Sequence, residues 1–205
     1  MINNTKWCLF LISSLFLMGC STLSIQESAP EITIPSDITT VSLAIVDQRP
    51  YVVDQDKSPA FEGLIRSSLA IPYSYNTATG EPMSVFLTNR LEYGIQNKGL
   101  TVKRYDTNLT TSLPELLNSM KQDGNPSIVV LLHEWKYDYH PFSDNSWYDV
   151  DVIVNNKAGQ KTVKKHYAGE NDIPGGTIMN EMMLIYKSRF EEIFSDPELI
   201  QALEE

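Results

Sequence analysis

The sequence predicts an α+β fold: a mixed β-sheet of about five strands, in the order β-α-β-α-β-β-β-α-α, with helices mainly on one face. Apolar residues recur at i, i+3, i+4 spacing over 83–95 and again over 178–194, the stripe of an amphipathic helix. Residues 147–155 alternate, with Tyr148, Val150, Val152 and Val154 on one face and Asp149 and Asp151 on the other, as a half-buried strand requires. Two compact runs, Val41-Ser42-Leu43-Ala44-Ile45-Val46 and Ile128-Val129-Val130-Leu131-Leu132, have the length and β-branching of buried strands.

Residues 1–6 are polar and carry Lys6; residues 7–18 are apolar apart from Ser13 and Ser14. A helix of that length rises about 18 Å, short of a hydrocarbon core about 30 Å thick. Residues 1–19 therefore read as a signal peptide. It ends in Leu17-Met18-Gly19-Cys20, which resembles the lipobox of bacterial lipoproteins. The resemblance implies diacylglycerol on the Cys20 sulfur, cleavage before Cys20 and acylation of the new amine, palmitate being a typical chain. Several acyl chains together anchor stably where one gives only marginal binding. Ser21, in place of Asp, implies the outer membrane, on its periplasmic face. An ordinary signal peptide with an incidental cysteine is the alternative.

Residues 20–38 are rich in Ser, Thr, Pro and Glu and show no sustained period, so a lipidated Cys on a flexible tether is expected. A single periplasmic domain should occupy 39–205. Its first strand covers 41–46. A long connection, about 48–80, follows, and such loops are often functional. Pro82 opens a helix with Met83, Phe86, Leu87, Leu91 and Ile95 on one face, closed by Gly99. A short strand over 100–105, a helix on Leu113, Leu116, Leu117 and Met120, and the strongest strand over 127–139 come next. The alternating strand turns at Asn155-Asn156-Lys157-Ala158-Gly159 into another, about 160–168. A long helix on Ile178, Met179, Met182, Met183, Tyr186, Phe190, Ile193 and Phe194 and a short one after Asp196-Pro197-Glu198 end the chain.

An apolar fraction of 42% suffices for a packed core. The net charge of −10 argues against a nucleic-acid partner, which needs a cationic footprint, and against electrostatic adhesion to anionic lipid. The two cysteines are Cys8 and Cys20, so the chain beyond residue 20 can form no internal disulfide and no thiolate metal site.

The candidate interaction loop consists of Asp47, Arg49, Tyr51, Phe61, Arg66, Tyr73 and Tyr75, because Tyr and Arg are common interface anchors. The plainer alternatives are a local Asp47–Arg49 ion pair and a loop packed over one sheet face. His133, Trp135, Tyr137 and Tyr139 share one strand face by the period of two, with His140 on the other; this stripe reads as core or sheet surface rather than as a cofactor box. Asp138, Asp144, Asp149 and Asp151 crowd one hairpin, as a solvated acidic face or an oxygen-rich calcium site. No serine-hydrolase elbow, zinc-protease helix motif or phosphate-binding glycine loop is present. No catalytic residue, metal ligand or cofactor is assigned, apart from the covalent lipid on Cys20.

With its elements placed, the chain resembles the YajG-like group of Gram-negative lipoproteins. The likeness lies in the lipobox, the strand ending in Asp47-Gln48-Arg49, the helix with Leu91-x-x-x-Ile95-x-x-Lys98-Gly99-Leu100, and the strand leading to Trp135 and Tyr137. A glycine-turn hairpin and a long C-terminal helix complete it, and the segment 50–80 exceeds the connection of that group. The resemblance implies an α+β periplasmic domain and no catalytic residue. The expected function is a membrane-anchored, non-enzymatic binding, regulatory or assembly module, with an envelope protein or glycan as partner. The alternatives are a cell-wall or lipid hydrolase using Asp47, Asp149 or Asp151, and a carrier of a small apolar ligand lined by Met179, Met182 and Met183.

Overall fold

The computed structural model describes residues 22–140, 144–157, 159 and 161–204. The leader, the lipobox residues Leu17, Met18 and Gly19, and Cys20 lie outside the described residues.

The scaffold is a mixed seven-stranded sheet. β1 (Thr40–Asp47) runs parallel to β4 (Thr101–Arg104) on one side and to the first half of β5 (Ser127–Tyr139) on the other. β6 (Asn145–Asn155) and β7 (Thr162–Asp172) follow as antiparallel neighbours. These five strands match the predicted sheet. Two more, β2 (Phe61–Arg66) and β3 (Pro72–Asn76), form a hairpin in the segment expected to be irregular. β2 lies parallel to the last residues of β5, Leu64 opposite Asp138. It continues the sheet past the point where β1 stops, because β5, at 13 residues, is long enough to be paired by β1 below and β2 above.

Helices cover mainly one face. α3 (Met83–Gln96), α5 (Ile178–Ile193) and α6 (Pro197–Glu204) bury their apolar stripes against Leu43, Ile45, Ile128, Val130, Val150 and Val152. On the opposite face α4 (Leu113–Gln122), the one helix there among the described residues, packs Leu116 and Met120 on Ala44, Val46, Val129 and Ile153. That smaller layer covers only the lower half of the sheet, and two short helices, α1 (Ile25–Ser28) and α2 (Pro50–Val53), complete the order. Among the described residues no helix is long and apolar enough to cross a membrane.

The expected flexible tether is corrected from Leu23 onward. Ser24 caps α1 in a reciprocal box with Glu27, and the chain then runs down between α3 and α5. Ser28, Ala29 and Ile32 are buried, and the Leu23 amide donates to Asn180 Oδ1 at 3.0 Å. The carbonyl of Pro30 lies where a Cβ on Gly94 would stand, so the glycine in α3 makes room for this strap. Isolated apolar side chains fix it, which no periodic pattern announces.

Candidate functional site

Asp47 ends β1, and Arg49 sits two residues on, in the bend before α2. The pair is bidentate: Arg49 Nε and Nη2 each donate to an Asp47 carboxylate oxygen at 2.8 Å. The same guanidinium donates to the carbonyls of Phe61 at 2.7 Å, Trp135 at 3.1 Å and Pro59 at 3.2 Å. Arg49 is wholly buried, and a buried arginine persists when its donors are paired. Asp47 and Arg49 thus join β1, the start of β2 and the middle of β5, which corrects their place in an interaction loop. Burial lowers the Arg49 pKa, but Asp47 more than offsets this and raises it.

Phe61 belongs to the same clamp: it is buried and meets Tyr51 edge-on at 5.5 Å. Tyr51 donates to Glu134 at 2.7 Å. Arg66 pairs with Asp138 at 2.6 and 2.7 Å. Only Tyr73 and Tyr75 stand in solvent, 54% and 42% exposed, with Leu69 at the hairpin tip 80% exposed. The interaction loop therefore divides into a buried clamp (Asp47, Arg49, Phe61), a pinned rim (Tyr51, Arg66) and an exposed hairpin (Tyr73, Tyr75).

The expectation that His133 shares a face with Trp135 and Tyr137 is also corrected. Leu132 pairs with Val150 and Glu134 with Asp149, so His133 is an extra residue. Such a bulge reverses the alternation beyond it. Leu132 and Trp135 both reach the helix-covered core, while His133 turns to the open face and contacts Asp151 at 3.0 Å. His166 and Lys164 on β7 reach the same carboxylate at 3.1 and 2.8 Å. Burial raises the Asp151 pKa, but hydrogen bonds from Lys164, His133 and His166 prevail and hold it down to about 2. Among the described residues no three His, Cys, Asp or Glu side chains converge so as to hold a metal ion. Asp138 pairs with Arg66, and Asp151 pairs with Lys164 and meets the imidazoles of His133 and His166, so these two carboxylates are engaged within the sheet.

Above α4 the outer face of the sheet is bare. An open trough of about 930 Å³ lies there, lined by Leu64, Glu134, Lys136, Trp147, Asp149 and Glu170. Trp147 stands between this trough and a smaller hollow bordered by Arg66, Ala70 and Asn145. The arrangement offers one indole and charges of both signs, a surface suited to binding. Trp147 was read only as the start of a strand; its place on the polar face of an alternating segment was the signal.

Sequence reasoning also missed two buried arginines. Arg90 of α3 lies over the Phe86 ring at 3.5 Å and donates to Ser28 Oγ at 3.0 Å. Arg189 of α5 stacks over Tyr148 at 4.6 Å and Trp135 at 5.2 Å, and donates to the Ser146 carbonyl at 2.9 Å. Burial lowers both guanidinium pKa values to about 10. Each occupies a stripe position of its helix, a signal that the sequence did contain. Near them, Glu62 is buried with Tyr137 and Tyr186. Glu62 Oε2 and both hydroxyls lack a hydrogen-bond partner among the described residues. Burial pushes the Glu62 carboxyl up to about 7, against the pull of the Arg90 and Arg49 charges.

No family model matches the chain, and no curated protein matches it. Among solved structures, an uncharacterised protein shares 10% identity over 83% of this chain and 94% of its own, with a TM-score of 0.49. Protein XCC0632 from Xanthomonas campestris, of family DUF330, shares 7% over 82% of this chain and 89% of its own, at 0.46. A lipoprotein from Neisseria meningitidis, GNA1162, shares 10% over 78% of this chain and 99% of its own, at 0.32.

Proposed function

We propose that this chain is a lipid-anchored module of the bacterial outer membrane, of the YajG-like kind, that binds an envelope protein on the bare outer face of its sheet. The observation that carries the binding reading is the trough around Trp147. It lies on the half of the sheet that α4 leaves uncovered, beside a pinned Arg66–Asp138 pair. An aromatic residue flanked by Lys136, Glu134 and Glu170 is the composition of a protein interface, with a large anchor and a polar rim. The anchor follows from Leu17-Met18-Gly19-Cys20.

Two of the three carboxylates considered for hydrolysis, Asp47 and Asp151, are bound up in ion pairs, which supports a non-enzymatic role. Asp47 is locked to Arg49 inside the fold. Asp151 is tied to Lys164, His133 and His166 on one sheet face, which hold its pKa down to about 2. The Met182 and Met183 side chains are fully packed in the core, which leaves the carrier reading without a lined cavity.

A photo-crosslinking residue placed at 147 in living cells tests this. The expected result is one discrete protein adduct that a probe at Gln122, on α4, does not give. An adduct with glycan instead of protein, or no adduct from 147, contradicts it.

A further inference from the structure

The exposed apolar groups of this molecule are gathered at one end. Of the eight large apolar side chains that stand exposed among the described residues, four are on the β2–β3 hairpin: Leu69, Ile71, Tyr73 and Tyr75. Leu69, at the tip, is 80% exposed. The tip is braced: the Ser67 amide donates to the Ile71 carbonyl at 3.0 Å and the Ala70 amide to the Ser67 carbonyl at 2.8 Å. Arg66, the last residue of β2 before the turn, ties the hairpin to Asp138 of β5. An apolar apex on a rigid hairpin has no packing role within its own domain.

The charge pattern singles out the same segment. The chain carries 26 acidic residues, yet none occurs from Gly63 through Gly80. The global acidity that disfavours adhesion to anionic lipid therefore does not reach this hairpin. Leu, Ile and Tyr above a single Arg are the residues that settle at a bilayer interface.

Topology supplies the occupant. Leu64, Asp138, Asn145 and Asp172 pair in one row across the top of the sheet. The hairpin tip rises just beyond Leu64, and α5 starts shortly after Asp172. Leu23 is bonded to Asn180 in the first turn of α5, so the N-terminal chain leaves the body at this same end. From Leu23 to Cys20 is three residues, a reach of about 10 Å when extended. Ile25 and Leu184, both exposed, flank that exit.

We infer that the β2–β3 hairpin is a second membrane contact: Leu69 and Ile71 enter the headgroup and upper acyl region while Tyr73 and Tyr75 sit at the interface. This rests on Cys20 being lipidated. The domain then stands on the bilayer at two points and holds a fixed orientation, where an anchor on a long tether would leave it free to turn. The bare sheet face with Trp147 is thereby directed sideways, along the membrane surface.

Beyond residue 20 the chain has no other cysteine, so Leu69→Cys gives a single free thiol beside the blocked Cys20. The full lipidated protein, labelled there with an environment-sensitive nitrobenzoxadiazole, is reconstituted into phosphatidylethanolamine–phosphatidylglycerol vesicles with nitroxide on the upper acyl carbons. Gln122→Cys, at the opposite end, serves as the control. The expected result is a blue-shifted Leu69 probe that loses about half its emission to the nitroxide, as shallow insertion requires, and an unaffected Gln122 probe. Protein that floats with the vesicles while both probes remain in water overturns the seating and leaves the anchor standing. A Leu69 probe that is shielded but not quenched by lipid assigns the hairpin to a protein or a second copy, and also overturns it. Protein isolated without lipid and failing to float overturns the anchor, and the seating with it.

Discussion

The lower and upper halves of the sheet are built differently. Below, β1, the first half of β5 and the last half of β6 are covered on both faces, by α3 and its neighbours on one side and α4 on the other. Above, β2, the bulged end of β5 and the start of β6 are covered on one face only, and β3 is exposed on both. The lower half is held by apolar packing. The upper half packs Trp135, Tyr137 and Tyr148 on its covered face and adds polar contacts: Arg49 with Asp47, Arg66 with Asp138, and Lys164 with Asp151, which also meets His133 and His166. A bare sheet face cannot be fixed by burial, so ion pairs and backbone bonds set its shape, and it remains available to a partner.

The largest expected effect comes from breaking the joint between the halves. Arg49→Ala leaves Asp47 buried without its cation and three carbonyls without their donor. It should cost about 3–5 kcal/mol, as for other buried pairs that lose one partner. Urea unfolding measures the loss, and amide exchange should show β2 and β3 opening first. A loss no larger than that for an exposed ion pair would show that the clamp does not join the halves.

Glu62 gives the next effect, with a defined sign. Its folded-state pKa of about 7 lies above the usual glutamate value, so the neutral acid favours folding. That contribution is complete below about pH 4.5 and is lost as pH rises through 7. Glu62→Gln should therefore stabilise the protein at pH 8 by up to about 3 kcal/mol and flatten the decline in thermal midpoint between pH 4.5 and 8. A variant that is less stable than wild type at pH 8 would mean that the carboxylate is needed charged.

Two glycines give smaller effects, one for each region. A Cβ on Gly63 would stand 2.6 Å from the Tyr137 ring, so Gly63→Ala should displace the hairpin and cost about 1–3 kcal/mol through overpacking. Gly94→Ala would meet the Pro30 backbone and should release the strap. Limited proteolysis would then cut between residues 23 and 32 while the body stays folded. The smallest effect on stability is expected for Trp147→Ala, within about 1 kcal/mol, and this variant should nevertheless lose the adduct formed from a crosslinking residue at Glu170 on the trough rim.

The lower half was the legible half. Its strands are continuous β-branched runs and its helices keep apolar stripes, so burial had already written itself into the periodicity. The upper half was not, for three physical reasons. β3 is exposed along its whole length, so no apolar alternation marks it, and its strand form depends on pairing with β2. The extra residue at His133 reverses the side-chain faces, and a bulge leaves no trace in residue type. The strap over 23–38 is held by single contacts such as Ile32 and Ser28, which a pattern search reads as a linker. Of the predicted interaction loop, Asp47-x-Arg49 was legible as a pair, but the three carbonyls that it gathers are distant in sequence.

Metabolic labelling with an alkyne analogue of palmitate is the most direct measurement, because both the membrane seating and the direction of the Trp147 face depend on where the chain is anchored. The wild-type protein should take up the label and fractionate with outer membranes, and Cys20→Ala should lose the label and appear in the soluble fraction. Wild-type protein that takes up no label, or a Cys20→Ala variant that stays in the membrane after a high-salt wash, would contradict the account.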